Sequence, residues 1–182
     1  MIRLIFDSDQ IGQLPRDAMA ATYSDLVPAM AELANYQAQF PHGLVLIDRG
    51  LGDPTGAATV LDVESGAHRA GDAPGWYDRK RKAGHVSLTV YASRSTMPEV
   101  DAALGDTRHA WHWYATLDGT MHITGRQPGA GPAVVQFATA AMLGFHADCS
   151  VVWNDGWHPS RAPAILDSAR AELGSLAAII GR

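Results

Sequence analysis

Asp62 and Glu64 stand two residues apart at the end of an apolar run, Ala57-Ala58-Thr59-Val60-Leu61, and Ser65-Gly66 follows at once. An apolar run bounded by turn residues reads as a buried strand. Side chains alternate along a strand, so the two carboxylates share one face and Leu61 and Val63 take the other. Carboxylates held side by side away from water push each other's pKa apart. One then serves as a proton donor and the other as a charged partner, the pairing that glycoside hydrolysis uses.

Other chemistries find less support. Eight histidines invite a metal reading, but His109 and His112 are expected on opposite faces of a strand. Neither an H-E-x-x-H segment nor a cysteine pair occurs. Gly50, Gly52 and Gly56 lack the G-K-[ST] ending of a phosphate loop, and no nucleophile elbow supports a Ser-His-Asp triad. No metal or cofactor is expected. Cys149, the single cysteine, excludes an internal disulfide and reads as an inert core thiol. A net charge of -5 gives no electrostatic footprint for nucleic acid or an anionic membrane surface. The basic run Arg79-Lys80-Arg81-Lys82 reads as a solvated helix face.

The elements that must position these groups alternate early and then simplify. Strands are predicted over Ile2–Phe6, Gly43–Asp48, Ala57–Glu64, Val86–Tyr91, Ala110–Leu117, Pro132–Phe137 and Cys149–Trp153; Ala18–Tyr23 is either a strand or a helical turn. Helices are predicted over Leu26–Gln39, with Leu26, Met30, Leu33 and Gln37 on one face, over Ala73–Ala83, and over Met97–Leu104. A hairpin is expected at Asp118-Gly119, running into Thr120–Ile123. Ala162–Ile180 reads as an amphipathic helix with Ile165, Ala169, Leu173, Leu176 and Ile180 on its apolar stripe. The expected fold is α/β: a short, flattened TIM-like β/α barrel over residues 1–158 that finishes in β-strands, with a C-terminal amphipathic helix over 159–182 packing on the barrel or on a partner. A full (β/α)₈ barrel takes roughly 250 residues. At 182 residues some helices must be missing.

The ordered set of strand ends resembles one family, the glycoside hydrolase family 25 lysozymes (N-acetylmuramidases) and the related domains of actinobacteria and their phages. Phe6-Asp7 matches its first-strand aspartate and Leu61-Asp62-Val63-Glu64 its central D-x-E strand. Val90-Tyr91-Ala92-Ser93 resembles its tyrosine-bearing strand, Trp113-Tyr114-Ala115 its W-x-A strand, and Val135-Gln136-Phe137 its glutamine-aromatic strand. Asp148-Cys149-Ser150-Val151 resembles the last-strand aspartate segment. Three departures stand out: a short interval from Asp7 to Asp62, Phe-Asp-Ser-Asp-Gln in the first motif, and Ser150 where an asparagine is usual.

The resemblance implies Glu64 as the general acid, Asp62 assisting it or orienting an acetamido group, and Asp7 and Asp148 lining the same mouth. The candidate substrate contacts are Tyr91, Trp113, Gln136, Asp9 and, more weakly, Trp111, since aromatic faces stack on sugar rings. The implied partner is peptidoglycan or a related glycan, cleaved after N-acetylmuramic acid. A second reading takes the chain as a weak or inert module of a phage tail or cell-surface assembly, with other subunits as partners. The N-terminal apolar stretch is too short for a signal peptide, and no segment reaches the length of a membrane span. The chain is therefore expected to be made in the cytoplasm and to act at the wall after lysis or within a virion.

Overall fold

The computed structural model describes residues 3–117, 119, 133–144, 146–152 and 157. Eight strands close into a barrel in sequence order: β1 (Arg3–Asp7), β2 (Met19–Tyr23), β3 (Leu44–Asp48), β4 (Val60–Val63), β5 (Thr89–Ser93), β6 (Trp111–Ala115), β7 (Val134–Ala138) and β8 (Asp148–Val152). The pairs from β1 through β7 are parallel, while β8 runs antiparallel to both its neighbours, β7 and β1. An antiparallel closing strand needs no crossover helix, which is how a chain of this length completes a barrel.

Alternation sorts the strand residues into three cores. Ile5, Met19, Val45, Ile47, Val60, Trp113, Val134 and Val152 fill the barrel, with Trp157 at its base. Leu61, Val63, Val90 and Ala92 face outward onto α2 (Ala73–Lys82) and α3 (Met97–Leu104). Ala20, Leu44 and Leu46 face outward onto Leu33 and Phe40 around α1 (Met30–Gln39). One short helix, α4 (Ala140–Leu143), links β7 to β8. The β1–β2 and β3–β4 connections carry no α-helix.

Several expectations need correcting. The first helix begins at Met30, because Pro28 holds Val27 out of the helical region. Its buried side is Leu33, with Tyr36 packed beside it, whereas Leu26, Met30 and Gln37 are exposed. The fifth strand starts at Thr89; Val86 is 69% exposed and precedes the barrel wall. Residues 18–23 settle as strand, paired in register with both β1 and β3. The residues expected to form the 120–123 strand and the 162–180 helix lie outside the described residues.

The basic run is not uniformly solvated. Lys80 is buried and pairs with Asp53 and with the carbonyl of Gly56, 3.0 Å away. Asp53 also accepts from the Ala58 amide at 3.1 Å. This pair anchors the helix-free β3–β4 connection to α2. Removing one partner of a buried ion pair strands the other charge, so Lys80→Met is expected to cost about 3–5 kcal/mol. That corresponds to a melting-temperature drop of roughly 10 °C, readable by calorimetry. Adding Asp53→Leu should recover much of it; equal melting temperatures for parent and Lys80→Met would refute the anchoring role.

Candidate active site

The C-terminal ends of the parallel strands converge on one mouth, where the register brings the carboxylates together. Asp7 pairs directly opposite Asp148 across β1 and β8. Cross-strand neighbours lie about 5 Å apart at Cβ, and like charges there oppose each other. Asp62 pairs with Tyr91 across β4 and β5. Glu64, one residue beyond β4, is exposed at the rim, while Asp62 beneath it is 6% exposed.

Crowding and burial leave Asp7, Asp62 and Glu64 reluctant to ionise. Asp7 is pushed up to about 8 by burial first, then by the charges of Asp148, Asp62 and Glu64. Asp62 is raised to about 7 by burial and by Glu64, with the Arg49 guanidinium pulling the other way. Glu64 is also held above the usual carboxylate range, by burial of its carboxyl and then by Asp148, whereas a hydrogen bond donated by Tyr91 would lower it. One carboxylate oxygen of Asp7 and one of Asp62 are buried without a hydrogen-bond partner among the described residues. The mouth thus stores protons at neutral pH, as acid catalysis of glycosidic cleavage requires.

Arg49 follows Asp48 at the end of β3, and Gly50 after it takes φ +87°, a left-handed turn that favours glycine. Asp48 faces out of the barrel and stays below the usual carboxylate range. Burial would raise it, but hydrogen bonds from the Gly50 amide, His68 and the Trp76 indole outweigh that. The same His68 donates its backbone amide to the carbonyl of Asp62 at 3.1 Å. Asp48 and His68 therefore tie together the two turns that carry Arg49 and Glu64.

Arg49 lines a cleft of about 300 Å³ together with Asp7, Asp9, Tyr23, His146 and Asp148. It does not plug the mouth. Two of its nitrogens are held by Asp25 at 2.9 and 2.7 Å, and its guanidinium lies over the Tyr23 ring, 4.2 Å from the centroid. It stands as a cationic wall beside an otherwise acidic cleft.

The predicted carboxylates therefore meet at one mouth, and Asp9 lines the same cleft. The aromatic expectations need correction. Trp113 is fully buried inside the barrel, its indole donating to Ser150 Oγ at 3.0 Å, so it presents no face to a sugar. Gln136 is 1% exposed and spends its amide on Tyr91 and Asp148. Trp111 pairs with Thr89 at the start of β5, at the opposite end of the barrel from the mouth. Tyr91 is partly buried at the mouth, its ring edge-on to Trp113 at 5.6 Å. Tyr23 and Arg49 belong to none of the sequence motifs, yet both line the cleft. Their signal was position: each ends or follows a strand whose C-terminus points into the mouth. Among the described residues no group of histidine, cysteine, aspartate and glutamate forms a metal site, and Cys149 is buried with its thiol pushed up to about 11.

No family sequence profile matches the chain, and no curated protein sequence does. Solved structures do. The catalytic domain of endolysin Ply40 from bacteriophage P40 of Listeria monocytogenes is 12% identical, with a TM-score of 0.51 over 84% of this chain and 94% of that one. GHIP, a glycosyl hydrolase 25 of Streptococcus pneumoniae described as a virulence factor, is 11% identical, with a TM-score of 0.52 over 87% of this chain and 89% of that one. At such identity the likeness is one of fold: the chain is built on the barrel of family 25 glycoside hydrolase domains.

Proposed function

We propose that this chain is a muramidase-like glycosidase that hydrolyses the peptidoglycan glycan strand at the bond after N-acetylmuramic acid. Glu64 is the general acid and Asp62 assists it. The observation that carries this reading is the convergence of Asp7, Asp62, Glu64 and Asp148 on one barrel mouth, with Glu64 raised above its ordinary range and the most accessible of the β4 pair. An accessible carboxyl whose pKa is raised gives up its proton less readily to water, which suits the group that must protonate a leaving glycosidic oxygen. Action at the wall after lysis, or as part of a virion, fits this substrate.

One observation favours the competing reading of a glycan-binding or scaffolding module. Arg49 places a cation in the wall of the cleft beside Asp7 and Asp148, and that cleft holds about 300 Å³. Incubation with purified peptidoglycan separates the two. Release of new reducing ends supports the glycosidase. Co-sedimentation with the polymer and no product supports the binding module, and neither product nor binding overturns both.

A further inference from the structure

β8 closes the barrel antiparallel to both its neighbours, and that economy leaves an outer face to be covered. A parallel strand is followed by a crossover that returns over the outside of the sheet, whereas an antiparallel strand gains no such layer from its connection. The register sorts β8 residue by residue. Ser150 and Val152 point into the barrel, Ser150 to the Trp113 indole and Val152 among the inner core residues. Cys149 and Val151 therefore point outward. Leu4 pairs with Val151 from β1 and Val135 pairs with it from β7, so the outward apolar band crosses three strands.

Val135 and Val151 have no exposed surface and Cys149 is 4% exposed, while Leu4 at the edge is 39% exposed. An outward strand residue loses its water only beneath a second layer. Among the described residues, none of the three cores takes in Val135, Cys149 or Val151. The helix α1 packs over β2 and β3, and α2 and α3 pack over β4 and β5.

Two stretches outside the described residues are long enough to supply a layer. Residues 120–132 hold three glycines and two prolines, with Met121 and Ile123 as their large apolar side chains, and they join the parallel strands β6 and β7. Residues 158–182 follow β8 itself. Their apolar stripe, Ile165, Ala169, Leu173, Leu176 and Ile180, carries no charge, and Asp167, Arg170 and Glu172 fall off it. A helix over 162–180 runs about 28 Å, more than the roughly 17 Å of a five-residue strand such as β8. The point of departure fits as well. Trp157 is fixed at the base of the barrel: its indole donates to Thr89 Oγ1 at 2.9 Å and its carbonyl accepts from Arg3 at 3.0 Å. Arg3 pairs with Val152 at the foot of β8 and lines, with Leu4 and Phe6, a cleft of about 570 Å³. The chain thus leaves the barrel beside β1 and β8, with the outward band directly above it.

We propose that the apolar stripe of residues 162–180 seats on the outer face of β8 and its neighbours β7 and β1, so that the C-terminal segment is the barrel's own missing layer and not a free arm for a partner subunit.

Cys149, the single cysteine, reports from within the face to be covered. In the full chain its labelling by a maleimide should be slow and independent of protein concentration. Leu173→Asp combined with Leu176→Asp puts two carboxylates on the stripe and should speed labelling by about tenfold or more. Uncovering raises both access and the thiolate fraction of a thiol that burial pushes up to about 11. Ala171→Asp, on the opposite side of the same helical period, should leave the rate near the parent's. Labelling of the parent at the rate of a free thiol, or an unchanged rate in the stripe variant, overturns the proposal. Protection that fades on dilution, with light scattering showing a dimer at the higher concentration, assigns the cover to a second copy and overturns it too. Should the stripe variant lose the parent's circular-dichroism spectrum, single added cysteines decide in its place. Mild oxidation should link Cys149 internally in at least one of Ala169→Cys, Leu173→Cys and Leu176→Cys, and not in Ala171→Cys. No link from the stripe, or an equal yield from Ala171→Cys, overturns the proposal.

Discussion

Glu64→Gln is expected to keep the fold and to slow the release of reducing ends from peptidoglycan by roughly 10²- to 10⁴-fold, the range contributed by a positioned general acid. Glutamine matches glutamate in shape but has no acidic proton to pass to a leaving oxygen. The side chain stands at the rim, just beyond β4, so its replacement disturbs no packing inside the barrel. Its melting temperature should therefore stay within a few degrees of the parent's. Because burial and Asp148 hold Glu64 above the ordinary glutamate range, the alkaline limb of the parent's pH–rate profile should lie above 4.5 and vanish with the substitution. Digestion at the parental rate by a folded Glu64→Gln protein would rule this residue out as the acid.

The second large effect is on stability. Asp7 keeps its proton to about 8 in the folded chain against 3.8 in the unfolded one, and Asp62 to about 7. A raised folded pKa means stability is fully present below the unfolded value and drains away as pH climbs toward the folded one. The loss should therefore accumulate between about pH 4 and pH 8, on the order of several kcal/mol. Asp48, held below its ordinary value, acts in the opposite sense and removes stability as pH falls below about 4. The protein should thus melt highest in weakly acidic buffer, with a fall on the order of 10 °C by pH 8. Asp7→Asn cannot ionise and should abolish about half of that fall, raising the melting temperature at pH 8 and changing it little at pH 5. Calorimetry across this range decides: a flat parental curve, or an unchanged slope in Asp7→Asn, would contradict the raised pKa values of Asp7 and Asp62.

Both expectations depend on features legible at different levels. The strand segments carry alternating apolar residues, so Leu61 and Val63 against Asp62 and Glu64 could be assigned to opposite faces without coordinates. The 73–82 helix was readable because Pro74 opens it and Gly84 closes it, and the 97–104 helix has the same entry through Pro98. The helix at 30–39 starts later than its periodicity predicts, because Leu26 fits a helical period while Pro28 keeps the preceding residue out of it. Lys80 looked like its exposed neighbours, since no local pattern reveals that Asp53 lies across the fold.

The aromatic positions show the limit most directly. Trp113 and Gln136 were recognisable as strand residues on motifs near a mouth, but residue type does not say at which depth of a barrel a side chain ends. Depth follows from strand tilt and register, which arise only when all eight strands pair. Trp111, Trp113 and Ala115 lie on one face of β6 and yet span the barrel from base to mouth.

The sequence by itself determined the carboxylates, their strand ends and the order of the elements, because alternation, turns and apolar runs are local properties of the chain. Tertiary structure alone decided the rest. Closure by an antiparallel β8 puts Asp148 opposite Asp7. Burial then turns Asp7, Asp62 and Glu64 into groups that resist ionising, and side chains far apart in sequence (Tyr91, Gln136 and Asp148) join in one run of hydrogen bonds. Desolvation and hydrogen-bond direction depend on everything that surrounds a group, and no stretch of sequence contains that.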